Sequence, residues 1–248
     1  MRAAAFFDLD RTLLRRASGP ALSAAMRETG VVTSGLPFER AIFGYFDLFG
    51  ESLGSIALAR QASLIARGRS VKAFDEAAKI AGEQLAELVE PFARMLIDEH
   101  HRAGRKVVLA TTTPEHLIRP FADRLGLDDV VATRYRAKGG RFTGTLDGPF
   151  VWSTGKLSAV RAWAQDHDID LAESYAYSDS IYDLPLLMAV GNPGAVNPDL
   201  RLFAAAMAKR WPILNFDTSP GVLKVPVLGL EVQQIAFLLA RPELFPYA

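Results

Sequence analysis

The sequence predicts an α/β protein, a parallel sheet with helices on both faces, interrupted near its start by an inserted all-helical segment. Three observations carry this. From about residue 92 onward, short apolar runs rich in β-branched residues alternate with helical stretches, the pattern of strand–helix–strand units in a parallel sheet. Residues 18–88 have a different texture, Ala-rich and helix-compatible, with little that alternates like a strand. The first apolar run, AFFDLDRTLL (5–14), is broken by Asp8, Asp10 and Arg11. Burying an unpaired carboxylate is costly, so these acids must face a partner.

Taken in order, AAAFF (3–7) is a strand buried on both faces. After the insertion, Pro91 opens a helix at its first turn, which runs to about 102 and ends at Gly104. KVVLA (106–110) is the second strand. TTTPEHLIRPFADRLG begins the next helix, with Thr113 as N-cap and Pro114 at the first helical position. Pro120 inside that helix should bend it or start it afresh. DVVAT (129–133) is a third strand, and RYRAKGGRFTGTL reads as a β-hairpin around Gly139-Gly140. A helix over about 155–167 leads to ESYAYS (173–178), the fourth strand. A short helix near 183–189 follows, and GAV and PILNF are candidate edge strands. Phe43, Phe46 and Phe49 fall at helical spacing and read as core of the insertion; Leu228, Val232, Ile235 and Leu239 form one helical stripe near the C-terminus.

Composition narrows the function classes. At 248 residues the chain can hold one domain with a sizeable insertion. Lys plus Arg and Asp plus Glu number 28 each, so the basic surplus of a nucleic-acid groove is missing. There is no cysteine, which excludes disulfides, thiolate metal sites and cysteine nucleophiles. The apolar stretch before Asp8 is too short for a secretory signal, and no run reaches the ~18 apolar residues of a membrane span. The expectation is a cytoplasmic protein with a small-molecule partner, no nucleic acid and no membrane. His100, His101, His116 and His167 are scattered without ligand spacing.

In parallel sheets, ligands bind beyond the carboxyl ends of the strands. Asp8 and Asp10 follow the first strand, Thr111, Thr112 and Thr113 the second, and Ser178, Asp179, Ser180 and Asp183 the fourth. Lys156 opens the helix leading into that fourth strand. Clustered carboxylates repel unless a cation joins them, and hard oxygen ligands suit Mg²⁺. The threonines at a helix start offer hydroxyls and free N–H groups, an anion site. A lysine in a first helical turn opposes the helix dipole unless an anion binds beside it. Carboxylates, Mg²⁺ and an anion cradle together point to phosphoryl transfer.

These residues carry a resemblance. DLDRTLL resembles the first motif of the haloacid dehalogenase (HAD) superfamily, Asp-x-Asp-x-Thr after a hydrophobic strand; VVLATTT resembles its second motif, TGK its third and YSDSIYDLP its fourth. All four occur in order. The helical insertion after the first motif and the hairpin between the second and third are similar to the subfamily containing phosphoserine phosphatase. The resemblance implies a Rossmann-like core over 1–14 and 90–248 and a helical cap over 15–89 that selects the substrate. It implies Asp8 as the nucleophile forming an aspartyl-phosphate and Asp10 as general acid, then base. Asp8, Asp179 and the Asp10 carbonyl would hold Mg²⁺, with Asp183 supporting Lys156 or the metal shell. Thr111, the Thr112 N–H and Lys156 would bind the phosphoryl oxygens.

The sequence departs from the pattern in three places. Ser178 stands where the fourth motif usually has glycine; a backbone needing positive φ would be strained there. Arg11 fills a slot often occupied by a small residue; Arg11, Arg15 and Arg16 could together read a second anionic group on the substrate, the favoured reading being solvated charges at the hinge into the insertion. Ala17 stands nine positions after Asp8, where phosphoserine phosphatases typically carry a glutamate for the substrate ammonium. The expected activity is a Mg²⁺-dependent phosphomonoesterase acting on a small phosphorylated metabolite: phosphoserine, another amino-alcohol phosphate such as histidinol phosphate, or a sugar or polyol phosphate. A phosphotransferase or mutase using the same intermediate, and a non-catalytic phospho-ligand binding module, are the alternatives.

Overall fold

A computed structural model describes residues 2–31, 62–64 and 66–214. β1 (Ala4–Phe7) is buried along its whole length, because it lies between two other strands and between two layers of helices. It pairs in parallel with β2 (Lys106–Pro114) on one side and β6 (Tyr175–Ser178) on the other. β3 (Asp129–Thr133), β7 (Asn192–Val196) and β8 (Ile213–Leu214) complete a six-stranded parallel sheet in the order β3-β2-β1-β6-β7-β8. GAV therefore lies within an interior strand, and of the two candidate edge strands β8 alone is an edge, opposite β3. Phe216, the last residue of PILNF, falls outside the described residues, as do Phe43, Phe46, Phe49 and the Leu228–Leu239 stripe.

The two faces separate by side-chain alternation. Ala5 and Phe7 join a layer that includes Leu109, α3 (Pro91–Arg102) through Leu96 and α4 (Glu115–Leu125) through Phe121. Ala4 and Phe6 join the opposite layer, with Val160 and Trp163 of α5 (Thr154–Asp166) and Leu202 of α7 (Leu200–Lys209). Helices on both faces are thus the means by which a sheet apolar on both sides leaves water. Pro120 interrupts nothing: α4 runs continuously through it.

Within the insertion, α1 (Gly19–Glu28) and α2 (Val71–Ala86) are helical. Leu22 of α1 and Phe74 of α2 share the apolar layer that holds Phe7. The two chain segments that enter and leave the insertion lie side by side: Leu14 bridges Val89, the Arg15 N–H donates to the Leu88 carbonyl at 2.9 Å, and the Glu90 N–H donates to the Leu13 carbonyl at 3.1 Å. Arg15 also pairs with the buried Glu90 carboxylate at 3.1 Å. The hairpin of β4 (Tyr135–Lys138) and β5 (Arg141–Leu146) is antiparallel, as the sequence predicts. Its partner was not foreseen: the Val71 N–H donates to the Gly140 carbonyl at 2.9 Å, and the Phe142 N–H to the Arg69 carbonyl at 3.0 Å.

Candidate active site

The carboxyl ends of β1, β2 and β6 share one edge of the sheet. β1 ends on Asp8, whose N–H donates to the Tyr177 carbonyl at 2.9 Å, so the last rung of the β1–β6 pairing fixes where that carboxylate begins. Lys156 lies in the first turn of α5 and is only 1% exposed. Its Nζ donates to Asp8 Oδ1 at 2.8 Å and to Asp183 Oδ2 at 2.7 Å. A buried ammonium held between two carboxylates has the pairing that its desolvation demands.

The loop that delivers Lys156 is tight. A Cβ on Gly155 would come within 2.2 Å of the Phe150 carbonyl oxygen, so only glycine fits. Ser153, the N-cap of α5, is held at φ 51, a region a non-glycine residue rarely adopts. The Val151 N–H donates to the buried Thr133 Oγ1 at 3.1 Å, tying the loop to the end of β3.

Asp183 stands at the N-cap position of a short helix, α6 (Leu184–Leu187), yet makes no capping bond with its side chain. Its carboxylate turns instead to Lys156 and to Ser178, whose Oγ donates to Asp183 Oδ2 at 2.7 Å. Ser178 carries no positive φ; it ends β6 as a strand residue, so serine is tolerated at the glycine position. The other carboxylate oxygen of Asp183 is buried without a hydrogen-bond partner.

The threonine cluster is placed differently from the expectation. β2 continues through Pro114, which remains extended at ψ 133, and α4 begins at Glu115. Thr113 is therefore not the N-cap. The physical reason is pairing: β2 stays with β3, after a register shift, as far as Pro114 opposite Thr133. Thr111 is buried and accepts the Thr113 N–H on Oγ1 at 3.2 Å, while Thr112 Oγ1 is buried without a partner.

Between Leu9 and Leu14 the chain makes one wide turn, closed by the Leu14 N–H on the Leu9 carbonyl at 3.0 Å. Inside it Asp10 is extended and Arg11 is left-handed, at φ 59. Asp10 Oδ1 accepts the Ser18 N–H at 2.5 Å, which orients the carboxylate against the start of α1. Arg11 Nε lies 3.6 Å from Asp179 Oδ2.

Behind the site, on the α3 side, lies a second buried polar pair. His100 Nε2 and the Tyr177 hydroxyl are 3.1 Å apart. The Tyr177 ring stacks on Phe7 at 4.7 Å and leaves no room for a side chain at Gly194, where a Cβ would meet the ring at 2.7 Å. Burial, aided by the positive charge of Arg105 and by His101, pushes the His100 imidazole down to about 3.

The family model of the haloacid dehalogenase-like hydrolases matches residues 5–188, from β1 past α6 and across each residue of this edge of the sheet up to Asp183. The chain belongs to that family. The inhibition of morphological differentiation protein of Streptomyces azureus is 36% identical, over 96% of this chain and 87% of its own length. The phosphoserine phosphatase SerB1 of Mycobacterium tuberculosis is also 36% identical, covering 97% of this chain and 81% of that protein. The histidinol-phosphatase of Neisseria meningitidis is 30% identical, with 87% and 100% covered. A crystal structure from Bordetella pertussis, of a protein with unknown function, superposes with a TM-score of 0.74 at 26% identity, covering 88% of this chain and all of that one.

Sequence reasoning missed two parts of this HAD site. The sequence places Ser178 beside the site but assigns its hydroxyl no role, whereas that hydroxyl fixes Asp183. The turn after β7 also belongs to the site. There Asn197 Nδ2 donates to the Arg11 carbonyl at 3.0 Å, the Asp199 N–H donates to the Asp179 carbonyl at 2.7 Å, and Asp199 Oδ2 accepts the Ile181 N–H at 2.9 Å. The signal was available: Asn-Pro-Asp after an apolar run marks a turn followed by a helix cap, and Asp199 does cap α7.

Proposed function

We propose that this HAD hydrolase is a Mg²⁺-dependent phosphomonoesterase that works through an aspartyl-phosphate on Asp8. The observation that carries the reading is the buried Lys156 ammonium bridging Asp8 and Asp183. It fixes the Asp8 carboxylate at the mouth of the sheet and supplies positive charge where a phosphate would sit. In this mechanism Asp8 attacks phosphorus as the ester P–O bond breaks. Asp10, oriented by the Ser18 N–H, gives its proton to the departing alkoxide. Water then attacks the aspartyl-phosphate, Asp10 takes the proton back, and inorganic phosphate leaves with Asp8 regenerated. Thr111 and the Thr112 N–H, in the last part of β2, would hold the phosphoryl oxygens alongside Lys156.

The donors are suited to Mg²⁺: the Asp8 and Asp179 carboxylates and the Asp10 carbonyl are hard oxygens at the ends of two adjacent strands. Bound there, the cation would neutralise negative charge on the phosphoryl group. The segment 15–89 would serve as the cap over this edge, its entering and leaving ends lying side by side at Leu14 and Val89.

The names of the two phosphatase relatives favour an amino-alcohol phosphate as substrate, with Ala17 setting phosphoserine somewhat apart from histidinol phosphate. The test is a phosphate-release screen over phosphoserine, histidinol phosphate and sugar and polyol phosphates with Mg²⁺. Release of phosphate from one of them, reduced by about 10³-fold or more in Asp8→Asn, is the expected result. An Asp8→Asn enzyme as fast as the parent would remove the nucleophile assignment. An added acceptor alcohol that captured the phosphoryl group would point to a phosphotransferase instead.

A further inference from the structure

Four residues close a ring around the loops after β1, β6 and β7. The Arg11 guanidinium faces Asp179, the Asp179 carbonyl is held by the Asp199 N–H, and Asn197, two residues before Asp199, holds the Arg11 carbonyl. Arg11 is left-handed, a conformation disfavoured for any residue with a Cβ. A chain keeps such a residue only where its surroundings over-determine it, and here the Leu9–Leu14 turn and the Asn197 bond do so. The consequence of this placement is that Arg11 Nε stands 3.6 Å from Oδ2 of a carboxylate whose side chain is 9% exposed.

We propose that Arg11 is a built-in counter-ion of Asp179 and competes with a divalent cation for that carboxylate. The inference rests on the metal role of Asp179 given above. A Mg²⁺ ion held by the Asp179 carboxylate would place a second positive charge on the group that Arg11 already faces, and the two cations would repel each other. The Arg11 side chain is part-exposed, 27% against 9% for Asp179, and can swing outward when the cation enters. Metal affinity is thereby lowered by the strength of the ion pair, and the acids of the site keep a positive neighbour when no metal is bound.

The test is Mn²⁺ binding to the metal-free full-length protein, with free Mn²⁺ read by electron paramagnetic resonance, for the parent, Arg11→Met and Arg11→Lys. All three side chains carry a Cβ at the same left-handed position, so backbone strain is matched and charge is what varies. Arg11→Met should bind Mn²⁺ about three- to fivefold more tightly, the upper end of what a part-exposed ion pair supplies. Arg11→Lys should stay near the parent value. Arg11→Gln provides the same neutral comparison if the methionine form folds poorly. Equal or weaker Mn²⁺ binding in the neutral variants, with the parent binding well, would overturn the counter-ion role and leave the phosphatase reading standing. A parent that binds no Mn²⁺ at millimolar concentration would sink both. A raised KM for phosphate esters with an unchanged Mn²⁺ affinity would make Arg11 a substrate reader and refute the competition.

Discussion

Two buried polar clusters flank the end of β6 and solve the same problem in opposite ways. On one side, Lys156, Asp8 and Asp183 are charged and mutually bonded; on the other, His100 and Tyr177 are neutral and packed among Phe7 and Tyr175. A cation can stay buried only where carboxylates meet it. Among the described residues His100 bonds to a phenol and to no carboxylate, and with burial and the positive charge of Arg105 nearby it sheds its proton instead. Its Nδ1 has no partner. The tautomer with the proton on Nε2 leaves an unpaired acceptor there rather than an unpaired N–H. The difference teaches where this fold keeps charge: at the open edge where a ligand can use it, with neutral polar groups in the layer behind.

The strongest way to break the comparison is Lys156→Met. It leaves Asp183 buried without its cation, so unfolding in urea should show a loss of about 3–5 kcal/mol, and phosphate release should fall by about 10²-fold or more. Lys156→Met combined with Asp183→Leu should recover much of the stability and none of the activity. Recovery of both would mean that the charged cluster is structural.

His100 gives the next largest effect, through pH. The imidazole stays neutral in the folded chain down to about 3, whereas an unfolded histidine takes up a proton below about 6.5. The unfolded state therefore binds more protons in this window. The contribution of a neutral His100 is fully present above about 6.5 and is lost as pH falls toward 3, by as much as about 1.4 kcal/mol per pH unit. His100→Gln, which keeps a hydrogen-bonding partner for Tyr177, should show a shallower loss of stability between pH 6 and 4 in denaturant titrations. A slope identical to the parent's would place the acid sensitivity elsewhere.

Tyr177→Phe tests the neutral pair alone. Removing the hydroxyl strands His100 Nε2, and the expected cost is about 1–3 kcal/mol. Because the ring still fills the space over Gly194, phosphate release should remain within a few-fold of the parent. A collapse of activity would show that the hydrogen bond, rather than the ring, sets the positions of Asp8 and Asp179.

Much of the fold was legible because hydrophobic period reports burial directly. AAAFF reads as a strand buried on both faces and KVVLA and DVVAT as strands, and they are the adjacent strands β1, β2 and β3. Punctuation was less reliable. Pro114 signals a helix start locally, yet pairing with β3 outweighs that preference and moves the start to Glu115. Pro120 signals a break, but a proline removes only one hydrogen bond, and the packing of Leu117, Ile118 and Phe121 carries the helix through it.

By itself the sequence determined which chemical groups stand near or just past the carboxyl ends of strands: Asp8, Asp10, Thr111, Asp179 and Asp183, with Lys156 at a helix start. That information is local, since a strand's end and the residue after it are written in adjacent positions. Tertiary structure alone decided how those groups are paired. Lys156 meets Asp8 across 148 positions of sequence, and Asn197 meets Arg11 across 186. No local period encodes such contacts, because the sheet order that makes them neighbours is set by how both apolar faces are buried together.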